Sequence, residues 1–152
     1  MVKNIFENSV AQEVVSRINN LSPQSQPKWG KMNVAQMLAH CNVTYEMVYE
    51  PEKHKKPNAF FKFILKTFVK KLVTNEVAYK PNNRTAPQFI ITDSRDFEKE
   101  KTCLVEYINR TQQLGESHFY EKESHSFGVL NKNEWNNMFY KHLDHHLRQF
   151  GA

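Results

Sequence analysis

The chain holds seven histidines, and three of them fall in its last helical stretch, KHLDHHLRQF, at positions 142, 145 and 146. His142 and His146 are four residues apart. On a helix their β-carbons share one face at about 5–6 Å. Two imidazoles so placed can reach one cation about 2.0–2.1 Å from each nitrogen. His145 is offset to the other side and reads as a third ligand or a bystander. The spacing alone also fits a solvated or locally hydrogen-bonded pair. Direction separates these readings, because Trp135, Met138 and Phe139 precede His142 on an apolar stripe that must turn inward. Imidazoles carried inward need partners, since an unpartnered buried polar group is costly. A metal ion or polar groups from another helix must supply them. His40, in VAQMLAHCNVTYEMVYE, borders a second apolar face. Alone it reads as a structural core-edge histidine, but metal ligands in helical bundles come from facing helices. His40, His142 and His146 are therefore the candidate metal set.

The elements that must carry these residues are mostly helical. Val10, Val14, Ile18 and Leu21 predict a first helix over about Ser9–Asn20, with Ser9 and Gln12 spaced as a capping box. A loop with two prolines and a glycine follows. Asn33 and Gln36 predict a capped second helix that ends before Pro51. AFFKFILKTFVKKLV predicts a further helix inside a basic stretch, with seven lysines and no acidic residue between Lys53 and Lys71. Such a helix can lie on a membrane surface. The composition favours a core helix with a solvated lysine edge, and no stable membrane association is expected. NEVAYKPNNRTAPQFIITD predicts a long connection with an extended piece at Phe89-Ile90-Ile91. A long helix is expected over about Ser94–Leu114, stopped by Gly115. The last helix is capped by Asn131 and Glu134 and ends at Gly151.

At 152 residues, with 39% apolar and 24% charged residues and only 4 glycines, the chain reads as one all-α domain, residues 1–152. The architecture expected is a four-helix bundle with an extra basic helix in a long crossover. The net charge of +5 suits an acidic partner without demanding one. Two cysteines without a C-x-x-C pattern read as small hydrophobes in a reducing compartment. MVKNIFENSVAQEVV has no apolar run of signal-peptide length, so the expected location is the cytoplasm. No residue pattern reads nucleic-acid bases, and no nucleic-acid partner is expected.

KWGKMNVAQMLAHC, followed much later by SHSFGVLNKNEWNNMFYKHLDHHLRQFG, resembles the DinB/YfiT-like superfamily, and more closely an uncharacterised bacterial branch of it. The helix pattern fits along nearly the whole chain. The resemblance implies a four-helix bundle, termed DinB-like, that binds a divalent metal through one histidine on the second helix and two on the last. These fall on His40, His142 and His146. His145 and Gln149 also match positions of that pattern. The family often has arginine directly after the last ligand, whereas here Leu147 stands there and Arg148 follows. Related bundles are often dimers, which implies a homodimer with the crossover helix as a contact surface.

Three neutral ligands leave a coordination position open, as in catalytic rather than structural sites. Such an ion lowers the pKa of a bound water to near 7, or binds a thiolate. Imidazoles suit zinc, nickel, iron or copper alike. Some superfamily members use low-molecular-weight thiols as co-substrates. The leading expectation is a metal-dependent hydrolase or thiol transferase acting on a small molecule. Asp144 is read either as orienting an imidazole or as an exposed aspartate. Thr44, Met47, Trp135 and Phe139 are read as pocket walls or as plain core, and His125 as approaching the site from its loop or as a surface residue. No glutamate general base stands beside the ligands, so a non-catalytic metal- or ligand-binding module is the second reading.

Overall fold

The computed structural model describes residues 2–152. Met1, the first residue of the stretch read for a targeting signal, lies outside the described residues. The order of elements is α1 (Asn8–Asn19), α2 (Val34–Tyr49), a 3-10 turn (Pro51–Lys53), α3 (Ala59–Ile64), a π turn (Leu65–Val69), α4 (Lys70–Thr74), a 3-10 turn (Pro87–Phe89), α5 (Phe97–Phe119), the strands β1 (Glu123–Ser124) and β2 (Gly128–Val129), and α6 (Lys132–Gln149). The protein is an all-α bundle in which α1, α2, α5 and α6 supply the long helices. Both α1 and α2 pack against α5 and α6. β1 and β2 form a minimal antiparallel hairpin.

Local sequence explains most boundaries. In α2 the Asn33 side chain accepts from the Gln36 N–H at 2.9 Å, and Gln36 accepts from the Asn33 N–H at 3.1 Å. Asn131 and Glu134 close the same reciprocal cap on α6. These satisfy N–H groups that a helix start leaves without partners. The expected Ser9/Gln12 cap does not form, because α1 begins one residue earlier and Glu7 caps it without a side-chain bond. Helix α5 begins later than expected, capped by the Asp96 carboxylate on Lys99 N–H. Gly115 breaks it at φ +70°, and a further turn carries Phe119 back into the core. Phe119 there meets Phe6, Trp135 and Phe139, with ring centroids 5.3–5.5 Å apart. Phe89 lies in a 3-10 turn rather than an extended piece; no strand of the described residues lies beside it to complete a ladder.

The crossover departs most from expectation. It is not a core helix: its phenylalanines stand outside together with the exposed Lys66 and Lys71. Phe60, Phe63 and Phe68 are 75%, 64% and 73% exposed, while Leu65 and Thr74 are the buried positions. Lys62 and Lys70 form ion pairs instead, with Glu123 at 2.6 Å on the surface and with Glu134 at 2.9 Å. Lys141 of α6, itself buried, ties down the end of α4. Its ammonium donates to the Leu72 and Asn75 carbonyls and to Asn75 Oδ1 at 2.7–3.0 Å. A cation at the carbonyl end of a helix is electrostatically favoured. No helix among the described residues is long and apolar enough to cross a membrane.

Candidate metal centre

Helices α2 and α6 face each other where His40, His142 and His146 project. One nitrogen of each imidazole lies within 4.8 Å of the others. Nε2 of His142 is 2.9 Å from Nε2 of His40. A tetrahedral ion with nitrogens at about 2.0–2.1 Å needs roughly 3.3 Å between them, a small opening of this arrangement. His40 and His146 are buried and His142 is half-buried.

The nitrogens facing away from this point are all engaged. His40 Nδ1 donates to the Phe89 carbonyl at 2.8 Å. His146 Nδ1 donates to Gln149 Oε1 at 2.8 Å. Both acceptors lack a proton, so these tautomers are set and each Nε2 presents its lone pair inward. His142 Nδ1 lies 3.0 Å from Thr44 Oγ1, a hydroxyl able to donate or accept, so His142 can also turn its lone pair inward. Gln149 is held in turn, its amide donating to the Trp29 carbonyl at 2.7 Å. A Cβ at Gly30 would stand 2.6 Å from Gln149 Nε2, and Gly30 has φ +82°. Only glycine fits that turn beside that amide.

Burial holds all three imidazoles neutral. It lowers the His40 pKa against the opposing Phe89 hydrogen bond. It lowers His142 well below the ordinary value, with the neighbouring imidazoles adding to the effect. It takes His146 to about 3, with His40 adding to the effect. Neutral imidazole is the form that ligates metal. Three neutral nitrogens on rigid helices, each supported from behind, could hold a metal ion.

A cavity of about 800 Å³ opens on the three histidines. Its walls are largely apolar, with Met47, Leu65, Val73, Phe89, Ile91 and Trp135 among them, and none of its lining residues is acidic. Thr44 lines it as expected but also supports His142. His145 lines it outside the trio, packed between Trp29 and Tyr79 with ring centroids 5.8 and 5.7 Å away. His125 reaches the cavity lining while bonded to Ser126 and the His54 carbonyl. Two of the paired readings resolve against a role in the cavity. Phe139 is fully buried in the aromatic core and does not line the cavity. Asp144 orients no imidazole: its two oxygens pair with Arg17 at 2.9 Å and Arg148 at 3.0 Å. Residues two apart on a helix do not share a face, so Asp144 points away from His142 and His146. The Phe89 and Trp29 carbonyls and Gly30 were not foreseen. The KWGK stretch before α2 was the available signal for the latter two.

A family model described as a protein of unknown function, DUF1569, matches residues 6–152. No curated protein and no solved structure matches the chain. The family match runs from just before α1 to the end of the chain and includes all three histidines with their supporting residues, so the protein belongs to the DUF1569 family.

Proposed function

We propose that the protein is a metal-dependent enzyme that uses His40, His142 and His146 as ligands and acts on a small molecule with an apolar body. The observation that carries this reading is the convergence of three Nε2 atoms, each backed at Nδ1, at the floor of an apolar cavity. When bound, a divalent ion such as zinc, nickel or iron supplies a Lewis acid with an open coordination position. The chain's own residues do the rest. Phe89, Thr44 and Gln149 hold the ligand rings in place. Apolar walls exclude water and seat the substrate. His145 flanks His146, with ring centroids 4.9 Å apart, and burial lowers its pKa. Neutral and on the cavity wall, it could accept a proton from a thiol or water brought to the site.

Between hydrolysis and thiol transfer, the resemblance to the DinB/YfiT-like superfamily supports the latter, with a low-molecular-weight thiol as co-substrate. We place the family as a bacterial branch of that superfamily on the same sequence blocks. The free cysteines Cys41 and Cys103 suit a cytoplasmic, reducing setting. The second reading, a metal-binding module without turnover, is favoured by one observation: among the described residues no carboxylate lines the cavity. Untagged, metal-loaded protein incubated with a small thiol and an apolar electrophile should consume both, and His142→Ala should not. Stoichiometric metal with no consumption of thiol, and no hydrolysis of ester or amide substrates, would select the module.

A further inference from the structure

We infer that the outer face of the crossover, residues 59–74, docks on an anionic lipid surface. Four of the chain's 11 phenylalanines fall between positions 60 and 68. Phe60, Phe63 and Phe68 are the most exposed of them. Large rings grouped on one exposed surface mark a site of contact. Exposed Lys55, Lys56, Lys66 and Lys71 accompany them. The segment is tied to the rest of the molecule by Lys62 to Glu123, Lys70 to Glu134 and Lys141 at the end of α4, with these rings left on the outside.

Aromatic and aliphatic side chains on one face with lysines beside them are the signature of an interfacial helix. Anionic leaflets attract such clusters, at on the order of five-fold in partition per lysine. Charge argues against the same face meeting a second copy of itself, since the lysines of both would be juxtaposed. It also argues for lipid over single-stranded nucleic acid, whose bases stack on aromatics within a groove; these rings stand on a helix surface. The inner side of the segment, Leu65, Val69 and Val73, walls the cavity, so docking would bring the cavity to the lipid. The inference does not depend on what the histidines bind.

The test is co-sedimentation of the untagged full chain with phosphatidylcholine vesicles, with and without phosphatidylserine. Binding should require phosphatidylserine and weaken with salt. Phe60→Ser, Phe63→Ser and Phe68→Ser combined should reduce it by on the order of a hundred-fold. Lys66→Glu with Lys71→Glu should reduce it by on the order of ten-fold or more. Both variants should keep the parent's melting temperature, since the altered side chains are exposed. A parent that ignores anionic vesicles, or binds neutral ones equally, overturns the proposal. So does a serine variant that binds like the parent, a dimer in light scattering that those serines dissociate, or binding to single-stranded DNA in place of vesicles.

Discussion

At the residue scale, what distinguishes the three histidines is the partner behind each ring. Removing a partner that orients a metal-bound histidine typically weakens affinity about 10–100-fold. Gln149→Leu should therefore lower zinc affinity in that range by calorimetry, with the fold intact. His142→Ala should abolish stoichiometric binding. The buried rings also set a pH dependence. Their folded pKa values lie below the ordinary 6.5, to about 3 for His146, so the unfolded chain binds more protons between these values. Metal-free protein should keep its full stability above about pH 6.5 and lose it progressively as pH falls toward 3, read as a falling thermal midpoint. A variant with His40, His142 and His146 replaced by glutamine should flatten that slope. The trio was legible because spacing and the apolar stripe carry direction in the sequence. The Phe89 carbonyl was not, since a backbone acceptor leaves no side-chain signature. Asp144 stayed open between two readings because proximity in sequence says nothing of facing.

At the element scale, the reciprocal caps on α2 and α6 were readable because they close within four residues. The crossover was not. Its hydrophobic pattern predicts phenylalanines inside, but Glu123 and Glu134, which pair with Lys62 and Lys70, lie more than sixty residues away from the lysines they bind. Local periodicity cannot contain that information. Lys141→Met should leave the Leu72 and Asn75 carbonyls without their donor. The cost is about 1–3 kcal/mol, and amide exchange should rise across α3 and α4 before the bundle. Gly30→Ala should destabilise the chain by about 1–2 kcal/mol through its positive φ. It should also weaken zinc binding, since the new methyl displaces Gln149.

At the scale of the whole molecule, the bundle follows from four amphipathic helices that bury one contiguous core, in which Tyr45 stacks between Tyr107 and Phe139. The four long helices were legible from period and punctuation, whereas the crossover helix divides into α3, a π turn and α4. The cavity was not, because much of its wall comes from residues 79–92, a connection without regular pattern. Loop and helices meet at the histidines, so a ligand there should stabilise the entire fold. Zinc at a hundred times its dissociation constant adds about 2.7 kcal/mol, visible as a raised melting temperature that His142→Ala does not show. The most direct test is elemental analysis of untagged protein beside its His142→Ala variant. About one transition-metal ion per chain in the parent and none in the variant is the predicted result. A parent that carries no metal and takes up no zinc, nickel or iron when these are supplied, or a variant that binds as the parent does, would contradict it.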